Sequence, residues 1–133
     1  MGRHDGQIAF CHEQIKWQRL NIRTYEDDIK RLELANEGIK SKIDLVSGQK
    51  SSVIDMNNQS TDDFRGNRRD DFDQKVSKIS DAIASWLTDT EMNRKSIRFK
   101  IAEYREKIEV CQTKINSLYS QIEYYHRLNR EDY

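Results

Sequence analysis

Isoleucine returns every seven residues along the first part of this chain. Ile8, Ile15, Ile22, Ile29, Asn36 and Ile43 form one line, and Cys11, Gln18, Tyr25, Leu32, Ile39 and Val46 follow it at an offset of three. A seven-residue apolar repeat held this long describes a helix burying one stripe against a neighbour; a half-buried strand would alternate instead. The second half repeats the period through Val76, Ile83, Thr90, Ile97, Tyr104, Cys111, Leu118 and Tyr125. Its companions are Ile79 and Trp86 at first, then Ile101, Ile108, Ile115 and Ile122. That order predicts a stripe that changes flank near Asn93 and Arg94.

The 133 residues contain no proline, so nothing in the sequence forces a helix to break. The abundant Lys, Arg, Glu, Gln, Ile and Leu are good or acceptable helix formers. A hydrophobic fraction of 35% suits a narrow seam better than a wide core. Gly48 is a candidate stop signal, followed by the polar run 49–61 in which Val53, Ile54 and Met56 carry a last turn or two. Gly66-Asn67 is a turn signal, and Asp70, Asp71 and Asp73 favour the positive start of a second helix. The expected fold is all-α: a single helical hairpin over residues 1–133, coiled-coil-like, completing a bundle with a partner. Its first helix covers about 6–57, its turn about 58–68 and its second helix about 69–130.

Charge excludes some partners. Nine basic and nine acidic residues precede position 58 and fourteen of each follow, giving a net charge of zero. Neither half carries the field that draws proteins to nucleic acid or anionic lipid. The basic cluster Arg94, Lys95, Arg98 and Lys100 has Asp89, Glu91, Glu103 and Glu106 around it and reads as a solvated helix face. No segment is apolar enough for a secretory signal or a membrane span, so membrane insertion is not expected and folding is expected in the cytoplasm.

Chemistry has little to work with. Two helices make no deep pocket, so no catalytic residue and no cofactor are assigned and an enzyme is not expected. His4, His12, His126, Cys11 and Cys111 show no metal-ligand spacing, so no metal site is assigned either. Cys11 and Cys111 both occupy seam positions, and a fold-back near residue 61 sets them level. Two readings follow: reduced, apolar seam residues, or a disulfide formed after leaving the reducing cytoplasm.

What remains is binding. Phe10, Trp17 and Leu20 lie off the first seam, and Tyr119 and Tyr124 lie off the second. Between Val110 and Tyr125 the only charged residues are Lys114 and Glu123. Aromatic side chains on a charge-poor surface are what interface centres are made of, so these five residues are the expected partner contact.

The turn carries a resemblance. Phe64-Arg65-Gly66 stands where WXG-type (ESAT-six-like) proteins place an aromatic-X-Gly tripeptide between two helices of similar length, here with Phe in place of Trp. The continuation through Asn67, Arg68, Arg69, Asp70, Asp71, Phe72 and Asp73 is similar to the turn of YwqH-like proteins of Gram-positive bacteria. The resemblance implies an accessory protein, a chaperone or targeting factor, that packs against the helical N-terminal region of an LXG-type toxin for type VII secretion. A second small WXG-like protein is a further partner it implies, as is export without a cleaved signal peptide. The family's export tag, Tyr-x-x-x-Asp/Glu, is matched by Tyr119 and Glu123, and Phe99 to Glu103 is similar. The competing reading is a structural or chaperone-like coiled-coil subunit of another assembly, working as a homodimer or larger homo-oligomer.

Overall fold

A computed structural model of the chain describes residues 2–59 and 67–131, without the side chains of 56–59 and 67–69. It is all-α. Helix α1 spans Asp5–Gln59 and helix α2 spans Asn67–Glu131, with no strand among the described residues. Both helices exceed the ranges expected from the sequence. Gly48 does not end α1, which runs through the polar segment to Gln59. One glycine costs a helix about 1 kcal/mol, and no proline follows to enforce a stop. Hydroxyl side chains inside the helices bond back to the preceding turn, as Thr24 does to the Leu20 carbonyl, Ser52 to Gly48 and Thr90 to Trp86. The turn tripeptide Phe64, Arg65 and Gly66 lies outside the described residues.

The residues group into two compact units, each drawing on both helices. Unit 1 combines Met1–Leu32 with Phe99–Tyr133, and unit 2 is Glu33–Arg98.

In unit 1 the helices run antiparallel. Going up α1, His4 stacks on Tyr125, the Cys11 thiol meets Gln121, Arg19 reaches Tyr119, and Tyr25 lies on Tyr104. The core cluster is Ile8, Cys11, Ile15, Ile115 and Ile122, with Ile22, Leu118 and Tyr125 packed against it. Every one was read as a seam residue. Full burial of an isoleucine side chain is worth roughly 1.5–3 kcal/mol, so these residues hold the unit together.

Register corrects the disulfide reading. Cys11 Sγ lies 3.7 Å from the Gln121 amide oxygen, so Cys111 sits ten residues along α2 from the level of Cys11. At about 1.5 Å per residue that is roughly 15 Å, beyond the reach of a disulfide. Both cysteines are buried free thiols. The ring pairs His4–Tyr125 and Tyr25–Tyr104 agree that Cys11 and Cys111 are out of register, by seven residues or more.

Unit 2 has a poorer core. Ile43 is its one buried apolar residue among those described, while Ile39, Val46, Val76, Ile83, Leu87 and Ile97 are half-buried. Here the expected change of flank does not occur. Ile79 and Trp86 are 49% and 39% exposed, and the companion line is Ser80, Leu87 and Arg94, all turned partly inward. A strict seven-residue repeat leads from these three to Ile101, so the buried line continues unbroken at the expense of apolar content. Arg94 occupies its seam place by donating from Nε to the Asn36 amide oxygen at 3.0 Å.

Candidate partner interface

The exposed apolar residues of unit 1 sort by flank. Phe10 and Trp17 are 60% and 54% exposed and stand seven residues apart on α1, so they share one line. Val110 and Tyr124 are exposed too, and both lie seven residues from Ser117 on α2. An open groove of about 420 Å³ is lined by Phe10, Gln14, Gln18, Lys114, Ser117, Leu118 and Gln121, and Tyr124 lines a second open cleft with Ser120, Glu123, His126, Arg127 and Arg130. Among the first groove's lining residues Leu118, Gln14 and Gln18 are half-buried and Gln121 is exposed, three of them carrying amides. One of those amides is already engaged, since Gln121 accepts from the Cys11 thiol.

Tyr119 does not join this surface. Each helical residue turns about 100°, which places Tyr119 roughly 160° from Ser117 and Gln121 around α2. On that opposite flank Arg19 donates to the Tyr119 hydroxyl and lies 5.9 Å from the centre of its ring. Glu123 follows one turn later inside α2, so the Tyr119–Glu123 spacing falls wholly within a helix. Leu20 is exposed on the outer side of α1, away from the seam. The five expected contact residues thus divide: Phe10 lines the groove, Trp17 follows it seven residues along α1, Tyr124 lines the second cleft, and Leu20 and Tyr119 lie elsewhere.

A clasp that the sequence did not announce closes this end of unit 1. The His4 backbone N–H donates to the Asn129 side-chain oxygen at 2.9 Å, and the Asn129 amide donates to Asp5 at 3.1 Å. The Gly2 N–H donates to the same Asp5 carboxylate at 2.8 Å. A Cβ on Gly2 would fall 2.5 Å from the Asn129 side chain, so the glycine is what allows the approach. Tyr125 stacks on His4 at 5.7 Å and meets Tyr124 edge-on at 5.6 Å, which ties the clasp to exposed Tyr124.

The basic cluster engages its acidic neighbours. Arg94 and Arg98 both reach Glu91, at 3.4 and 3.9 Å, and Lys100 pairs with Glu103 at 3.1 Å. The hydrogen bond to Glu103, and then its charge, raise the Lys100 pKa above its ordinary value. Lys107 lies over the rings of Tyr25 and Tyr104, at 5.8 and 5.6 Å from their centres. Among the described residues no three of His, Cys, Asp and Glu come together to hold a metal ion, and no helix is long and apolar enough to cross a membrane.

The described residues form two long helices and no strand, an all-α chain. The YwqH-like family matches residues 6–126, nearly the whole of both helices, and the chain belongs to that family. Searches of the curated proteins and of the solved structures return no match.

Proposed function

We propose that this protein is a binding accessory factor, not an enzyme, and that it packs against the helical N-terminal region of an LXG-type toxin destined for type VII secretion. The observation that carries the reading is the set of exposed aromatic residues Phe10, Trp17 and Tyr124 in unit 1, where Phe10 also lines an open groove. A third amphipathic helix laid there would bury them and complete a bundle. Membership of the YwqH-like family supports the choice of toxin through the resemblance described above. In this reading the protein folds in the cytoplasm and acts as chaperone or targeting factor, and Tyr119 and Glu123 are the export tag to test. A second small WXG-like protein is the additional partner to look for.

Co-expression with the toxin's N-terminal region tests the proposal. A stable complex that co-elutes on size exclusion is expected. Failure to co-elute, together with a stable homodimer of this chain alone, would favour the homo-oligomeric coiled-coil subunit instead.

A further inference from the structure

Two faces of α2 compete for the seam of unit 2. Val76, Ile83, Thr90 and Ile97 are half-buried and common to both faces. On one side of that line stand Ser80, Leu87 and Arg94, which the structure turns partly inward. On the other stand Ile79 and Trp86, 49% and 39% exposed, followed by exposed Asn93. A helix turns about 100° per residue, so Leu87 lies roughly 40° to one side of Ile83 and Trp86 roughly 60° to the other. Rotating α2 by roughly 50° within unit 2 exchanges one set for the other.

Apolar burial alone favours the face that is not buried. The observed seam takes in one large apolar side chain, Leu87, with a hydroxyl and a guanidinium; the other would take in Ile79 and Trp86. Arg94 holds the observed face. Its Nε donates to the Asn36 amide oxygen at 3.0 Å across the seam, and its Nη1 reaches Glu91 at 3.4 Å. The surrounding packing offers little resistance, since Ile43 is the one buried apolar residue of unit 2 among those described. We infer that unit 2 is a two-state arm: the Asn36–Arg94 hydrogen bond latches the Leu87 face of α2 against α1, and its release turns the Ile79–Trp86 face inward. Asn93 then takes the place of Arg94 beside the seam, and a neutral amide costs less to half-cover than a guanidinium without its acceptor. Choosing between packings is the best-attested use of a polar pair in a helical seam, and two packings close in free energy make a switch. The arm lies in unit 2 alone, so the inference is independent of the binding role proposed for unit 1.

Trp86 itself reports which face is buried. In a Trp17→Phe background it is the one tryptophan of the chain, and acrylamide quenching and emission wavelength read its accessibility. Against that reference, Asn36→Leu is expected to shift the emission to shorter wavelength and to lower the quenching constant about twofold, because a side chain 39% exposed gives up most of that surface. Asn36→Ala removes the acceptor without adding bulk and should move both readings the same way. Adding Arg94→Leu to either variant should restore the reference values, because a leucine at 94 keeps the observed face inward without the bond. Circular dichroism checks that each variant keeps its helicity. A purely stabilising role for the bond would lower stability and leave Trp86 unshielded. A folded Asn36 variant with Trp86 as accessible as in the reference, or more so, would therefore overturn the inference. So would shielding that survives Arg94→Leu, or loss of helicity in both Asn36 variants.

Discussion

At the scale of single residues, polar groups in the seam decide more than their number suggests. Asn36 and Arg94 take places that the seven-residue period reserves for apolar side chains, and the structure joins them by a 3.0 Å hydrogen bond. Arg94 also reaches Glu91, and its side chain is only 19% exposed. Replacing Asn36 by Leu removes the acceptor and leaves a partly buried guanidinium short of a partner. The expected cost is about 1–2 kcal/mol in chemical denaturation. Replacing both residues by Leu should recover that loss or exceed wild-type stability, since an apolar pair of this kind often outperforms a buried polar one. A double-mutant cycle showing no coupling between the two would contradict this role. The cysteines give a second check. With Cys11 and Cys111 about 15 Å apart, the intact mass of an air-oxidised monomer should equal that of the reduced chain. A loss of two hydrogens would show that the register given by Cys11 and Gln121 is wrong.

At the scale of the helices, the period was legible in the sequence and the register was not. Positions at intervals of seven declare which side of a helix is buried, and the lines through Ile8 and Cys11 do turn inward. Register depends on where the chain reverses, and Gly48, Gly66 and the polar run between them left several choices open. A fold-back near residue 61 made Cys11 and Cys111 appear level, whereas Cys11 meets Gln121. Trp86 and Ile79 misled for a different reason. Large apolar side chains are expected inside, yet the periodic line passes through Ser80, Leu87 and Arg94, and the helix cannot present both lines to one neighbour. The candidate interface was half legible: Phe10, Trp17 and Tyr124 stood out as aromatic, but Gln14, Ser117 and Gln121 carry no sequence signal of their own. The Gly2–Asn129 clasp joins residues 127 positions apart, and no local pattern foretells it. The contrast in packing has a measurable consequence. Backbone amides of residues 8–29 and 101–122 should exchange with deuterium at least tenfold more slowly than those of 36–50 and 76–94. Uniform protection along both helices would mean that the buried isoleucines of unit 1 are not what holds the arms together.

At the scale of the whole molecule, most of the surface belongs to side chains that no other part of the chain covers. Two paired helices bury one stripe each, which leaves Phe10, Trp17, Val110 and Tyr124 to be covered from outside or left in water. Family membership states what kind of chain this is, and the groove states where a partner would lie. The proposed binding role therefore stands on the exposed aromatic residues Phe10, Trp17 and Tyr124. Its most direct test is the variant Trp17→Ser, Tyr124→Ser, measured against the proposed partner, the N-terminal region of an LXG-type toxin. Both residues are exposed, so the helicity of the isolated variant should match the wild type in circular dichroism. Affinity for the toxin region should fall at least tenfold, as expected when aromatic anchors are removed from an interface. A complex of undiminished strength, formed by a variant of unchanged helicity, would contradict the account.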